Sequence, residues 1–157
     1  MNFSCTERNC QNYLKLRSIY IPDSLIPVNH GAQEFNFFEN QVTVITIVGA
    51  GCTTCIQELK FWKEFIKKEN LDHNINYYFI AEGKPNFYFN ENVKNRDFLQ
   101  NLPIFLDKDS LFIKNNNLSS IRQKHTIILN NENKIIHIGS PFFDSLNADK
   151  IKKLLRN

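Results

Sequence analysis

The sequence predicts an α/β fold, with a central mixed β-sheet flanked by helices and a short N-terminal extension ahead of it. Three observations predict this. An unbroken β-type run, Val42-Thr43-Val44-Ile45-Thr46-Ile47-Val48, passes through Gly49-Ala50-Gly51 into Cys52-Thr53-Thr54-Cys55 and an amphipathic helical run. A second apolar run, Ile75 to Ala81, completes a βαβ unit over residues 42–81, and a crossover of that length implies parallel strands. Late in the chain, two strand-like runs flank the polar connection Asn130-Asn131-Glu132-Asn133, which adds an antiparallel hairpin to the parallel strands.

Taken in order, residues 1 to about 30 form the extension. Arg17-Ser18-Ile19-Tyr20-Ile21 suits a short edge strand, and Pro22 and Pro27 then interrupt regular structure. Residues His30 to Asn40 read as irregular. The strand Val42–Val48 is so rich in β-branched residues that both its faces are expected to be buried. The following helix runs from Thr53 to about Lys68. Cys55, Leu59, Trp62 and Phe65-Ile66 recur every three or four residues, and Lys60, Lys63, Glu64 and Lys67 fill the other face. Asn70-Leu71-Asp72-His73 ends it.

A helix is expected over Asn92–Asn101, a short strand over Leu102–Leu106, and a short helix or turn over Ser110–Asn117. Strands follow at His125–Leu129 and Lys134–Ile138. The Asn-rich turn between them suits positive φ. Ser145 can cap a last helix, Leu146 to Leu155, whose apolar side carries Ile151, Leu154 and Leu155. Asn86-Phe87-Tyr88-Phe89 is read as buried or edge packing, with a partner groove as the alternative. Trp62 is assigned to core packing.

Composition excludes several classes. At 157 residues the chain suits one domain with a full core, and 42% hydrophobic against 22% charged residues fits a globular fold. The 19 basic and 16 acidic residues leave +3, dispersed along the chain, so nucleic acid is not expected as a partner. No stretch of about 18 apolar residues offers a membrane span. Gly49-Ala50-Gly51 lacks the third glycine of a dinucleotide fingerprint. The histidines His30, His73, His125 and His137 share no ligand spacing, and no cofactor or metal is expected.

Cys52 and Cys55 sit where a strand delivers the chain to a helix N-terminus, which is the setting of a dithiol redox site. The thiolate is the nucleophile, and an ordinary thiol is only about 3% thiolate at pH 7. An N-cap position favours the anion by about 0.3–1 kcal/mol through free N–H groups and the helix dipole. Two other uses of the same spacing stay open. One is a structural disulfide. The other is a metal site completed by Cys5 and Cys10.

The chain resembles the thioredoxin superfamily, and within it the TlpA-type thiol–disulfide oxidoreductases. Gly51-Cys52-Thr53-Thr54-Cys55-Ile56-Gln57-Glu58-Leu59 is similar to the start of that family's redox helix. Leu102-Pro103-Ile104-Phe105-Leu106-Asp107 resembles its extended segment, and Thr126 to Ile136 its hairpin. The likeness covers about residues 40–157, giving an extension at 1–30 and a thioredoxin-like domain at 31–157. It implies catalytic roles for Cys52 as attacking thiol, Cys55 as resolving thiol and Glu58 beneath the pair as proton acceptor. An exposed first-turn acid is the other reading of Glu58.

The family's cis-proline has no counterpart here. Lys124 and His125 occupy its place, and a trans peptide is expected, because a cis bond without proline costs about 2.5–4 kcal/mol. Lys124, His125 and Thr126 are then the substrate-facing loop, with Lys124 or His125 as a cation near Cys52.

The implied partner is a protein or small-molecule disulfide or dithiol, with an upstream electron-donor protein. The expected location is extracytoplasmic, periplasmic or anchored through a removed signal segment, with the cytoplasm as alternative. A non-catalytic module carrying a structural disulfide is the competing reading of the whole domain. Peroxidase activity is a third and weaker one.

Overall fold

The structure, a computed structural model, describes residues 17–29, 42–71, 75–94, 99, 101–118, 126–142 and 145–156. Within them the strands are β1 (Ile26–Pro27), β2 (Val42–Gly49), β3 (Ile75–Glu82), β4 (Ile104–Asp107), β5 (Thr126–Asn130) and β6 (Ile135–Ile138). The helices are α1 (Thr53–Glu69), α2 (Phe87–Lys94), α3 (Leu111–Asn115) and α4 (Ser145–Arg156). The strands form one sheet in the order β1-β4-β3-β2-β5-β6. β2, β3 and β4 run parallel, while β5, β6 and β1 pair antiparallel, so the sheet is mixed as expected.

Period-two alternation along β2 sorts the core. Val44 and Val48 point to one face, where they meet Ile56, Leu59 and Trp62 of α1 and Ile151 and Leu155 of α4. Ile45 and Ile47 point to the other face, where they meet Ile80, Phe105, Phe112 of α3 and Ile127. Both faces of the central strand are buried, as its β-branched composition requires. Trp62 is fully buried among Phe65, Tyr77, Phe79 and Phe142, mostly edge-to-face, so it is core and not a binding platform.

Asparagines finish many of the turns. Asn70 adopts left-handed φ of 54° after α1, its N–H donates to the Lys67 carbonyl and the Leu71 N–H to that of Ile66. Asn133 does likewise in the β5–β6 hairpin at φ 60°, and the Asn130 side chain accepts from the N–H groups of Glu132 and Lys134.

Residues 17–29 lie against the sheet. Ser18 bridges to Lys134, Ile19 is buried, and β1 pairs with β4 at the edge, where Pro27 is tolerated. Asn116 and Tyr20 exchange two hydrogen bonds of 2.7 Å, and the Asn29 amide donates to the carbonyls of Leu99 and Leu102.

Two elements are corrected. In place of the edge strand expected over Arg17–Ile21 there is an isolated bridge at Ser18, and the edge strand β1 runs through Pro27 instead. The helix expected from Asn92 starts at Phe87 instead, because Asn86 caps it: its Oδ1 accepts from the Phe89 N–H at 2.8 Å. The aromatic run 87–89 is therefore the first turn of a helix. Phe89 is buried, whereas Phe87 is 80% exposed and Tyr88 40% exposed.

Candidate redox site

β2 ends at Gly49, and the turn that follows is held by its own backbone. The Ala50 N–H donates to the Glu82 carbonyl at 2.8 Å and the Cys52 N–H to the Gly49 carbonyl at 3.1 Å. Gly49 packs closely on the pair: a Cβ there would stand a tight 3.1 Å from Cys52 Cβ and an ordinary 3.7 Å from Cys55 Sγ. Cys52 takes the N-cap position of α1 with extended φ −109°, ψ 116°. Cys52 and Cys55 are disulfide-bonded with their Cα atoms 5.3 Å apart, inside the range such bonds need.

The first turn of α1 contains no acidic residue, and no side chain caps it among the described residues. Its free N–H groups and the positive end of the helix dipole thus face the cysteines without a competing anion. Thr54 adds one polar contact, its hydroxyl lying 3.0 Å from Cys52 Sγ. A disulfide sulfur carries no proton, so the hydroxyl is the donor.

Glu58, one turn into α1, is partly buried. Burial pushes its carboxyl up from the ordinary carboxylate range, and a hydrogen bond from the Ser140 hydroxyl at 3.4 Å opposes this. Ser140 is itself buried and its Oγ accepts from the Phe142 N–H at 3.3 Å.

Thr126 opens β5 opposite Thr46 of β2, and the two buried hydroxyls are 3.1 Å apart. β5 therefore begins at the end of the sheet where β2 delivers the cysteines. Lys124 and His125, with the trans peptide expected there, lie outside the described residues, as do Cys5, Cys10, His30 and His73. His137 is buried in β6. Among the described residues no group of three His, Cys, Asp or Glu side chains could hold a metal ion. No described helix is long and apolar enough to cross a membrane.

The arrangement of sheet, redox turn and helices has counterparts among solved structures. A thioredoxin-like protein in its oxidised form superposes with a TM-score of 0.64 at 13% identity, covering 91% of this chain and 97% of that one. The chain has a thioredoxin-like fold. The same thioredoxin-like architecture is found in an exposed lipoprotein thioredoxin of Streptococcus pneumoniae, with TM-score 0.59, 14% identity and coverage of 83% and 96%. It is found again in the thioredoxin domain of a thiol–disulfide oxidoreductase from Bacteroides vulgatus, with TM-score 0.52, 16% identity and coverage of 75% and 81%. At such identities the likeness is one of fold. No family model and no curated protein matches the chain.

On this thioredoxin-like frame, three residues near the pair were not singled out from sequence. Thr54 touches the sulfur, Ser140 holds Glu58, and Asn86 donates from its side-chain amide to the Gly51 carbonyl at 2.9 Å. Asn86 follows Pro85 and precedes a helical run, a signal for an N-cap that was available in the sequence. The Ser140 contact spans 82 residues and leaves no local trace.

Proposed function

We propose that the protein is a thiol–disulfide oxidoreductase of TlpA-like type in which Cys52 and Cys55 exchange with a partner disulfide. The observation that carries this reading is the Cys52–Cys55 disulfide at the uncapped start of α1. In the reduced protein the Cys52 thiolate attacks one partner sulfur, forms a mixed disulfide and expels the other as a thiolate. The Cys55 sulfur, having lost its proton, then attacks Cys52 Sγ and releases the second partner thiol. Two electrons pass from the dithiol to the partner, which takes up two protons. The helix end and the Thr54 hydroxyl favour the Cys52 anion, lowering the thiol from its ordinary range.

Glu58 takes the proton that Cys55 gives up. Its partial burial supports this role, since a carboxyl that burial raises above its ordinary range accepts a proton more readily. Lys124 and His125 form the loop facing the substrate, with one of them as the cation, whereas Thr126, expected in the same loop, is the buried first residue of β5 and anchors its end. The start of β5 at the cysteine end of the sheet supports that placement. The partner is a protein or small-molecule disulfide, and the location extracytoplasmic, as for the exposed lipoprotein of like fold.

The test is turnover. The protein should accelerate reduction of insulin disulfides by dithiothreitol, and Lys124→Ala with His125→Ala should raise the Cys52 thiol pKa. An insulin rate equal to the uncatalysed background would leave the non-catalytic module with a structural disulfide as the better reading.

A further inference from the structure

We infer that Asn86 is a positioning residue of the redox turn, fixing the peptide that carries Cys52 and so biasing the Cys52–Cys55 couple toward its disulfide form. The inference rests on the reading of this pair as one that exchanges.

Gly51 is exposed and directly precedes Cys52. Glycine has the widest choice of backbone angles, so its own sterics do little to aim the cysteine. The restraint comes from Asn86. Its Nδ2 donates to the Gly51 carbonyl at 2.9 Å, and its backbone N–H donates to the Ala50 carbonyl at 3.3 Å. The N–H of the same Gly51–Cys52 peptide donates to the Gly49 carbonyl at 3.1 Å, so this peptide is gripped at both ends.

Asn86 is equally tied on its other side. Its Oδ1 accepts from the Phe89 N–H at 2.8 Å and its carbonyl from the Asn90 N–H at 3.1 Å. That helix, α2, is rooted in the core by Phe89 and Val93. One side chain thus joins a packed helix to the peptide ahead of the nucleophile, and both ends of its amide are used.

The physical consequence concerns the reduced state. Breaking the S–S bond frees the two cysteines, and the freedom gained depends on how firmly the backbone is held. A turn clamped in the geometry seen with the disulfide closed gains little on reduction. Without the Asn86 amide the Gly51–Cys52 peptide keeps only its bond to the Gly49 carbonyl, and the dithiol form gains freedom that the disulfide form cannot match.

Asn86→Ser separates the clamp from the cap. Serine still caps α2, but its hydroxyl is too short to reach Gly51. Asn86→Ala removes both functions. Each variant is equilibrated with reduced and oxidised glutathione: two glutathione thiols give two electrons and two protons to the protein disulfide, leaving a protein dithiol and glutathione disulfide. Both variants should shift the equilibrium toward the dithiol by about fivefold, the worth of one hydrogen bond, equivalent to about 20 mV for two electrons. Asn86→Ala should in addition lower the unfolding midpoint below that of Asn86→Ser. Among the described residues, a Cβ on Gly51 would meet only the Lys84 carbonyl, at 3.6 Å. Gly51→Ala should therefore recover at least half of the shift in the Asn86→Ser background by narrowing the backbone choice.

A wild-type equilibrium constant in Asn86→Ser overturns the inference and leaves Asn86 as a helix cap. Absence of recovery by Gly51→Ala overturns it also. A wild-type disulfide that does not equilibrate with glutathione at all fails the oxidoreductase reading itself, and the inference falls with it.

Discussion

At its C-terminal end α1 is closed on every side, whereas its N-terminal end is left open around a sulfur. The C-terminal end has left-handed Asn70, a carbonyl pair satisfied by the next two N–H groups, and basic Lys67 and Lys68 against the negative dipole end. Glu69 is held there by Lys152 and Arg156 of α4 at 3.0 and 2.8 Å. The N-terminal end has no acid in its first turn and, among the described residues, no capping side chain, and its N-cap residue is Cys52. One end is built as a stable terminus. The other keeps its N–H groups for an anion. Changes at the two ends should therefore read out differently, as activity at one and stability at the other.

The largest effects break the open end. Cys52→Ser should reduce insulin turnover to background with the fold intact by circular dichroism. Cys55→Ala should leave Cys52 able to attack but unable to be resolved, so a mixed disulfide accumulates and is seen by intact-mass spectrometry. Retained turnover in Cys52→Ser would erase the distinction between the ends.

Next in size is the body of the helix that both ends depend on. Trp62→Ala empties a fully buried site against Phe79 and Phe142 and should lower unfolding free energy by about 3–5 kcal/mol in denaturant titration. A smaller loss is expected at the closed end. Asn70→Ala forces a Cβ-bearing residue without a local polar contact into left-handed φ, costing about 1–2 kcal/mol, whereas Asn70→Gly should be nearly neutral. Neither Asn70 variant should alter insulin turnover.

The smallest effects are in pH, where the two glutamates of α1 have opposite signs. Burial raises Glu58, so the folded protein holds this proton more tightly than the unfolded chain does. Stability from this site is present below the unfolded pKa and is lost as pH rises through the folded one. Lys152 above all lowers Glu69, so its contribution is present at neutral pH and is lost as pH falls through the folded pKa. Glu58→Gln should thus raise the unfolding midpoint at pH 7 and change nothing below about pH 4. Glu69→Gln should lower it at pH 7 by the small amount typical of a solvated ion pair, and the difference should fade in acid and in salt. Matching signs at the two sites would contradict the contrast between the ends.

Much of this was legible because it is local. The β-branched run of β2, the three-and-four spacing from Cys55 to Ile66 and the hairpin around Asn130–Asn133 each state their period within one element. The βαβ step then orders β2, α1 and β3 by chain connectivity alone. The start of α2 was misplaced because three aromatics, Phe87 to Phe89, weigh toward strand or edge packing. A single cap at Asn86 overrode that propensity. The long-range contacts were not legible at all: Ser140 on Glu58, Asn116 on Tyr20 and Asn29 on Leu102 join residues far apart in the chain. Polar side chains that meet across a fold carry no periodicity, so nothing in a window of sequence announces them.

The most direct test of the central claim is the reduction potential of the Cys52–Cys55 couple, measured by equilibration with glutathione or dithiothreitol buffers. The exchanging pair proposed here should fall between about −120 and −270 mV, the span of known dithiol oxidoreductases. A value below about −300 mV, where structural disulfides lie, would contradict it.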